Sequence, residues 1–123
     1  MSSPAATSLT ITQQEQDQRP VLILAGALDS STAPQLAGVA VSLVDDGARD
    51  LIVDASGLTF CDTSGLSVFV QIGSRLRARA GRLALVAPSR PVRQALDANG
   101  LSDAFVVAAS VPSALYSIHR DHP

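Results

Sequence analysis

The sequence predicts one α/β domain built on a mostly parallel sheet, and three observations carry that expectation. Short, continuously apolar runs at residues 21–25, 51–53 and 83–87 read as strands covered on both faces. Segments with apolar residues at helical spacing alternate with them. The 123 residues contain no low-complexity block or linker, and 46% are hydrophobic, enough to bury one core. The expected architecture has about five strands, the N-terminal one an antiparallel edge strand, and about four helices. The domain is expected over residues 8–120. Residues 1–7, small and polar with one Pro, read as a frayed tail.

Each element has its own signal. Residues 9–12 alternate apolar and polar, as a half-buried edge strand does, and the polar residues 13–19 read as a turn or hairpin. Residues 21–25 form a central strand, broken by Gly26 and residues 29–31. A helix opens near residues 31–34, with Ser or Thr as cap and Pro34 in its first turn. Leu36, Val39, Ala40, Leu43 and Val44 give it an apolar face, and Gly47 stops it. The strand at 51–53 is followed by a turn at Ser56-Gly57. A helix after Ser64 directs Leu66, Phe69, Val70, Gly73 and Leu76 to the sheet and ends near residues 79–81. A strand at 83–87 precedes a short helix at 89–99, capped by Ser89 and stopped by Gly100. A last strand at 105–107 leads to a closing helix at 110–119, with Ser110 as cap and Pro112 in the first turn.

Composition narrows the function. Net charge is −2 and all nine basic residues are Arg, so no broad field draws nucleic acid. Aromatic content is 3%, too low for a base-stacking surface. Cys61 is the single cysteine, compatible with a reducing compartment. The opening Met1-Ser2-Ser3-Pro4 lacks a signal-peptide pattern, and the apolar runs are too short for a membrane span. The expectation is a soluble, cytoplasmic protein without membrane insertion.

Two segments fit D-x-S-G-L: Asp54-Ala55-Ser56-Gly57-Leu58 and Asp62-Thr63-Ser64-Gly65-Leu66. Only the second is followed by a helical period, so only Ser64 has a helix dipole behind it. Two readings fit Ser64. Its oxygen lies where free N–H groups and the positive helix end hold a phosphate, or it is a plain N-cap worth about 1 kcal/mol. Asp62 either caps the helix or places the Ser64 hydroxyl, and Thr63 is a competing acceptor one residue further from the helix. Gly65 either admits a partner's active site or relieves crowding. Val68 and Ile72 widen the apolar stripe toward Arg75 and Arg79, as a partner surface or under a neighbouring helix. Arg75, Arg77, Arg79 and Arg82 suit the negative end of that helix. Both candidate loops, residues 28–33 and 60–66, lie at carboxyl ends of strands, where such sheets meet ligands and partners.

Other chemistry is missing from the sequence. There is no G-x-x-x-x-G-K and no G-x-G-x-x-G for a nucleotide. His119 and His122 have no Cys or carboxylate at ligand spacing, which argues against a metal site. Ser64 has no His base near it in sequence, so no catalytic residue, enzyme activity or cofactor is expected. Cys61 is a redox-sensitive thiol or a small buried apolar residue.

These residues resemble the STAS domain, named for sulfate transporters and anti-sigma factor antagonists, and most of all its stand-alone bacterial anti-sigma factor antagonists. Three segments carry the resemblance. Gly26-Ala27-Leu28-Asp29, before a Thr-Ala-Pro helix start, is similar to the family's Gly-Glu-Leu/Ile-Asp segment, with Ala27 where Glu is frequent. Residues 51–60 are similar to the strand leading to the switch, and Asp62-Thr63-Ser64-Gly65-Leu66 matches the phosphorylation motif. The resemblance implies that Ser64 is the phosphoacceptor. It implies a partner surface of Asp29, Ser30, Asp62, Thr63, Ser64, Gly65, Leu66 and Val68. The implied partners are an anti-sigma factor serine kinase with a histidine-kinase-like ATPase fold and a metal-dependent serine phosphatase. The unphosphorylated form would bind the anti-sigma factor and release the sigma factor; phosphorylation would end that binding. Within the same family, the alternatives are a docking subunit of a lipid-transport ATPase complex and a scaffold component of a stress-sensing assembly.

Overall fold

A computed structural model describes residues 8–121. The tail expected at residues 1–7, and His122, lie outside the described residues. Nine elements follow in chain order: β1 (Leu9–Gln16), β2 (Arg19–Leu28), α1 (Ala33–Asp45), β3 (Leu51–Cys61), α2 (Thr63–Arg77), β4 (Leu83–Val86), α3 (Arg90–Ala98), β5 (Val106–Ala108) and α4 (Val111–Asp121). The strands form one sheet in the order β1-β2-β3-β4-β5. Only β1 and β2 are antiparallel; β2–β3, β3–β4 and β4–β5 are parallel. The expected mostly parallel sheet with an antiparallel N-terminal edge is what forms.

The continuous apolar runs are explained by two covered faces. On one face, Leu22, Leu24, Leu51, Val53 and Leu85 pack with Leu36, Ala40 and Val44 of α1. Phe69, Ile72 and Leu76 of α2 and Val92 and Leu96 of α3 complete that layer. On the other, Val21, Ile52, Ala84 and Val86 pack with Ala114 and Ile118 of α4. Strands β2 to β4 alternate between two apolar layers rather than between core and water.

Three boundaries differ from expectation, each for a local reason. β1 continues through Gln13–Gln16, and the turn is only Asp17 and Gln18, with φ of 54° and 64°. That two-residue turn matches the twist of a hairpin. The last residues of β1 are polar on both sides because both sides are exposed. β2 does not stop at Gly26. Gly26 has φ of 114°, and a Cβ there would lie 2.3 Å from the Ser8 carbonyl oxygen. Glycine lets the strand pass this point with a register shift and reach Leu28. β3 likewise runs through Ser56-Gly57, expected to be a turn. Ile23 pairs with Asp54 but Ala25 with Gly57, so β3 carries an extra residue there. Asp54 Oδ1 accepts from the Ser56 backbone N–H (3.0 Å) and hydroxyl (2.7 Å), satisfying the irregular stretch locally.

The foot of the sheet is tied by a buried charge. Asp50, 1% exposed, lies just before β3. Arg19 Nε donates to its Oδ2 at 3.1 Å and the Arg82 backbone N–H to its Oδ1 at 2.8 Å, linking the starts of β2, β3 and β4. Removing one partner of a buried pair leaves the other charge uncompensated. Asp50→Ala is expected to lower unfolding free energy by about 3 kcal/mol, measured by urea denaturation.

Candidate functional site

β3 delivers Cys61 to the carboxyl end of the sheet, and Asp62 turns the chain into α2. Asp62 is extended, with φ −110° and ψ −171°. Its Oδ1 accepts from Ser64 N–H at 2.9 Å and Gly65 N–H at 3.2 Å, and its carbonyl accepts from Leu66 N–H at 3.0 Å. Asp62 is therefore the N-cap, Thr63 the first helical residue and Ser64 the second. This corrects the reading of Ser64 as a cap. It also corrects the expectation of free N–H groups beneath the hydroxyl, because the Asp62 carboxylate already occupies those of Ser64 and Gly65. Ser64 itself is half-buried and Thr63 exposed.

Gly65 answers to crowding. It is buried, and a Cβ there would lie 2.6 Å from Leu28 Cγ and 3.2 Å from Cys61 Sγ. The missing side chain lets the start of α2 seat against the end of β2. The Asp62 N–H donates to the Leu28 carbonyl at 3.2 Å, so the two candidate loops abut.

In the β2–α1 loop, Asp29 Oδ1 accepts from the Ser31 hydroxyl (2.7 Å) and from the backbone N–H groups of Ser31 (2.9 Å) and Thr32 (3.2 Å). The Ser31 hydroxyl is the main reason the Asp29 carboxyl titrates below its ordinary value. The Thr32 hydroxyl donates to the Ala27 carbonyl at 2.8 Å. These bonds order the loop and leave Ser30 exposed beside them.

The apolar margin of α2 is covered. Val68 and Ile72, 7% and 2% exposed, line one small cavity with Leu36 and Ala40 of α1. Val68 is thus part of the core and not of an open surface. Val70, expected to face the sheet, is 38% exposed instead. It lines a groove of about 290 Å³ with Thr63, Leu66, Ser67, Gln71, Asn99 and Leu101. Leu66 is buried and forms part of that wall. Helical spacing marks an apolar stripe but not which of its borders a neighbouring helix covers, so Val68 and Val70 exchange roles.

Arg75 and Arg77 lie in the last turn of α2, as expected for its negative end, and Arg77 and Arg79 also reach other elements. Arg79 Nη1 donates to the Val44 carbonyl and, at 3.4 Å, to that of Ala48, closing the end of α1. Arg77 Nη1 reaches the Ala104 carbonyl at 3.5 Å. His119 Nε2 lies 2.9 Å from Asp17 Oδ2, at the hairpin end of the sheet away from Ser64. Burial, and then the charge of Asp62, push the Cys61 thiol up to about 11. A thiol held protonated in this way behaves as a small apolar residue and not as a redox sensor.

A mixed five-stranded sheet with helices on both faces, and a hydroxyl in the first helical turn after its second parallel strand, defines a STAS-type domain. The family model described as Mlab, STAS domain matches residues 11–108, and the chain belongs to that family. An anti-sigma-B factor antagonist of Staphylococcus aureus is 28% identical over 96 residues, 78% of this chain and 89% of that protein. The crystal structure of an anti-sigma factor antagonist from Mycobacterium paratuberculosis is similar with a TM-score of 0.83 at 25% identity, covering 97% of this chain and 99% of that one. Unphosphorylated SpoIIAA shares the fold with a TM-score of 0.76 at 23% identity, over 90% of this chain and 97% of that one. Among the described residues, no helix is long and apolar enough to cross a membrane.

Two measurements test the site's local chemistry. Asp62→Ala is expected to lose about 1 kcal/mol in urea unfolding, while Asp62→Asn, which keeps an accepting oxygen, stays within a few tenths of wild type. The Cys61 thiol is expected to react with iodoacetamide at neutral pH roughly a hundredfold more slowly in the folded protein than in urea.

Proposed function

We propose that this chain is a cytoplasmic anti-sigma factor antagonist that works by partner switching, with Ser64 as the phosphorylated residue. Unphosphorylated, it binds an anti-sigma factor that is also a serine kinase of the histidine-kinase-like ATPase type, and the sigma factor is released. Phosphorylation of Ser64 ends that binding, and a metal-dependent serine phosphatase restores it. The catalytic machinery then belongs to the partners. The names of the related proteins support the antagonist reading.

The observation that carries the proposal is the position of Ser64. It is half-exposed in the first turn of α2, and Asp62 fixes the backbone on which it stands. A phosphate adds about −1.5 to −2 charge at neutral pH. The two N–H groups under Ser64 are held by a carboxylate of the same sign. A phosphate must therefore displace Asp62 or stand outward, and outward places the new charge in the contact. Asp29, Ser30, Asp62 and Thr63 lie on the same two abutting loops and supply the surrounding polar surface. Gly65, Leu66 and Val68 act from beneath, by seating α2. Each 1.4 kcal/mol of repulsion across the contact lowers affinity about tenfold.

Ser64→Asp is expected to weaken binding to the kinase by at least about tenfold in calorimetric titration, with an unchanged unfolding midpoint. Ser64→Ala is expected to bind as wild type does and to accept no phosphate. Equal affinity of wild type and Ser64→Asp would count against the switch. Partners recovered from the native cell separate the rival reading, since a docking role predicts the ATP-binding subunit of a transporter in place of a kinase.

A further inference from the structure

β1 is the outer strand of the sheet, and β2 covers one of its two edges. The Ala27 N–H donates to the Ser8 carbonyl at 3.0 Å, which sets the phase of the ladder. Antiparallel alternation then aims the backbone groups of Thr10, Thr12, Gln14 and Gln16 at β2, and those of Leu9, Ile11, Gln13 and Glu15 outward. Gln35 Nε2 occupies the Leu9 carbonyl at 3.0 Å. The outward groups of Ile11, Gln13 and Glu15 face no strand among the described residues. Long edges in stable monomers are blunted by Lys, Pro or bulges. β1 has no Lys or Pro, its register with β2 is unbroken, and its single charge is Glu15.

A second observation lies beside this edge. Gln35 marks the side of α1 that faces β1. Val39 and Leu43 follow at four-residue steps on that side. Both are half-buried against the core, as is Ile11. Three incompletely covered apolar side chains therefore flank the open backbone.

We propose that the β1 edge pairs antiparallel with β1 of a second copy of this chain, across a two-fold axis at Gln13. An axis normal to the sheet keeps each face on its own side, so paired residues must differ by an even number. Gln13 is the midpoint of the three outward residues that remain free. The resulting pairs are Gln13 with Gln13, Ile11 with Glu15, and Thr12 with Gln14, and none opposes like charges. Ile11 lies opposite Glu15 of the second copy, and the two-fold axis keeps α1, with Val39 and Leu43, on the same face of the joined sheet in both copies, as an isologous contact requires. The Ser64 loop, two strands away, stays outside the interface.

Sedimentation of the full chain from micromolar to millimolar concentration tests this. Wild type is expected to form a reversible dimer. Gln13→Lys and Gln13→Glu, at an exposed position, each oppose like charges on the axis and should raise the dimer Kd about tenfold. An equimolar mixture of the two should restore dimerisation, because only a self-paired Gln13 brings Lys against Glu. Gln13→Pro removes an outward N–H without touching the β1–β2 ladder and should also weaken the dimer. Circular dichroism checks that each variant is folded. A wild type that stays monomeric throughout, or a dimer that neither charge variant weakens and their mixture does not rescue, would overturn the proposal.

Discussion

The geometry of the Ser64 region depends on one interaction, the acceptance of two backbone N–H groups by Asp62 Oδ1. Four N–H groups at a helix start lack partners within the helix, and here the capping carboxylate satisfies two of them locally. Because Asp62 directly follows β3, the same residue ends the strand and starts α2. The Ser64 backbone is therefore referenced to the sheet through three consecutive residues and not through a mobile loop. The Asp62 N–H, bonded to the Leu28 carbonyl, extends that reference to β2.

Packing makes the cap work. α2 can begin so close to the sheet only because Gly65 offers no side chain to Leu28 and Cys61. Beyond the first turn, Val68, Phe69, Ile72 and Leu76 clamp the helix between α1 and the sheet. Phe69 also meets Phe105 edge to face, with ring centroids 6.4 Å apart, tying α2 to the segment before β5. Ser89 donates its hydroxyl to the Leu58 carbonyl at 2.6 Å instead of capping α3, so the irregular end of β3 is held from the other side as well. The first turn of α2 is thus a rigid platform carrying a half-exposed hydroxyl.

Much of this was legible in the sequence, and the failures share a cause. Continuous apolar runs identified β2, β3 and β4 because parallel strands covered twice need no alternation. Pro34, Gly47 and Gly100 marked helix ends through backbone requirements that hold in any context. The second D-x-S-G-L stood out from the first because a helical period follows it. What was not legible depends on neighbours. Ser56-Gly57 resembles a turn, yet β2 pairs alongside and absorbs the extra residue as a bulge. Gln13–Gln16 shows no alternation because no helix shields either face there. Asp62 and Ser64 are both good caps two residues apart, and only the extended backbone at Asp62 separates them. Val68 and Val70 border one stripe, and the placement of α1 decides which is covered.

The capping residue also sets the terms on which a phosphate could act. A helix start without a carboxylate would draw a phosphate onto its N–H groups and partly bury the new charge. Here Asp62 already holds those groups, so the two anions compete for one positive helix end. The cap contributes about 1 kcal/mol, small beside a core spread over two apolar layers. A disturbance of that size at the first turn leaves the sheet and the body of α2 intact. Its effect is confined to the surface formed by the Asp62–Ser64 turn and the Asp29–Thr32 loop. Under the proposed function, a change in charge at Ser64 is expressed at that surface, because the Asp62 cap leaves it little room to be absorbed within.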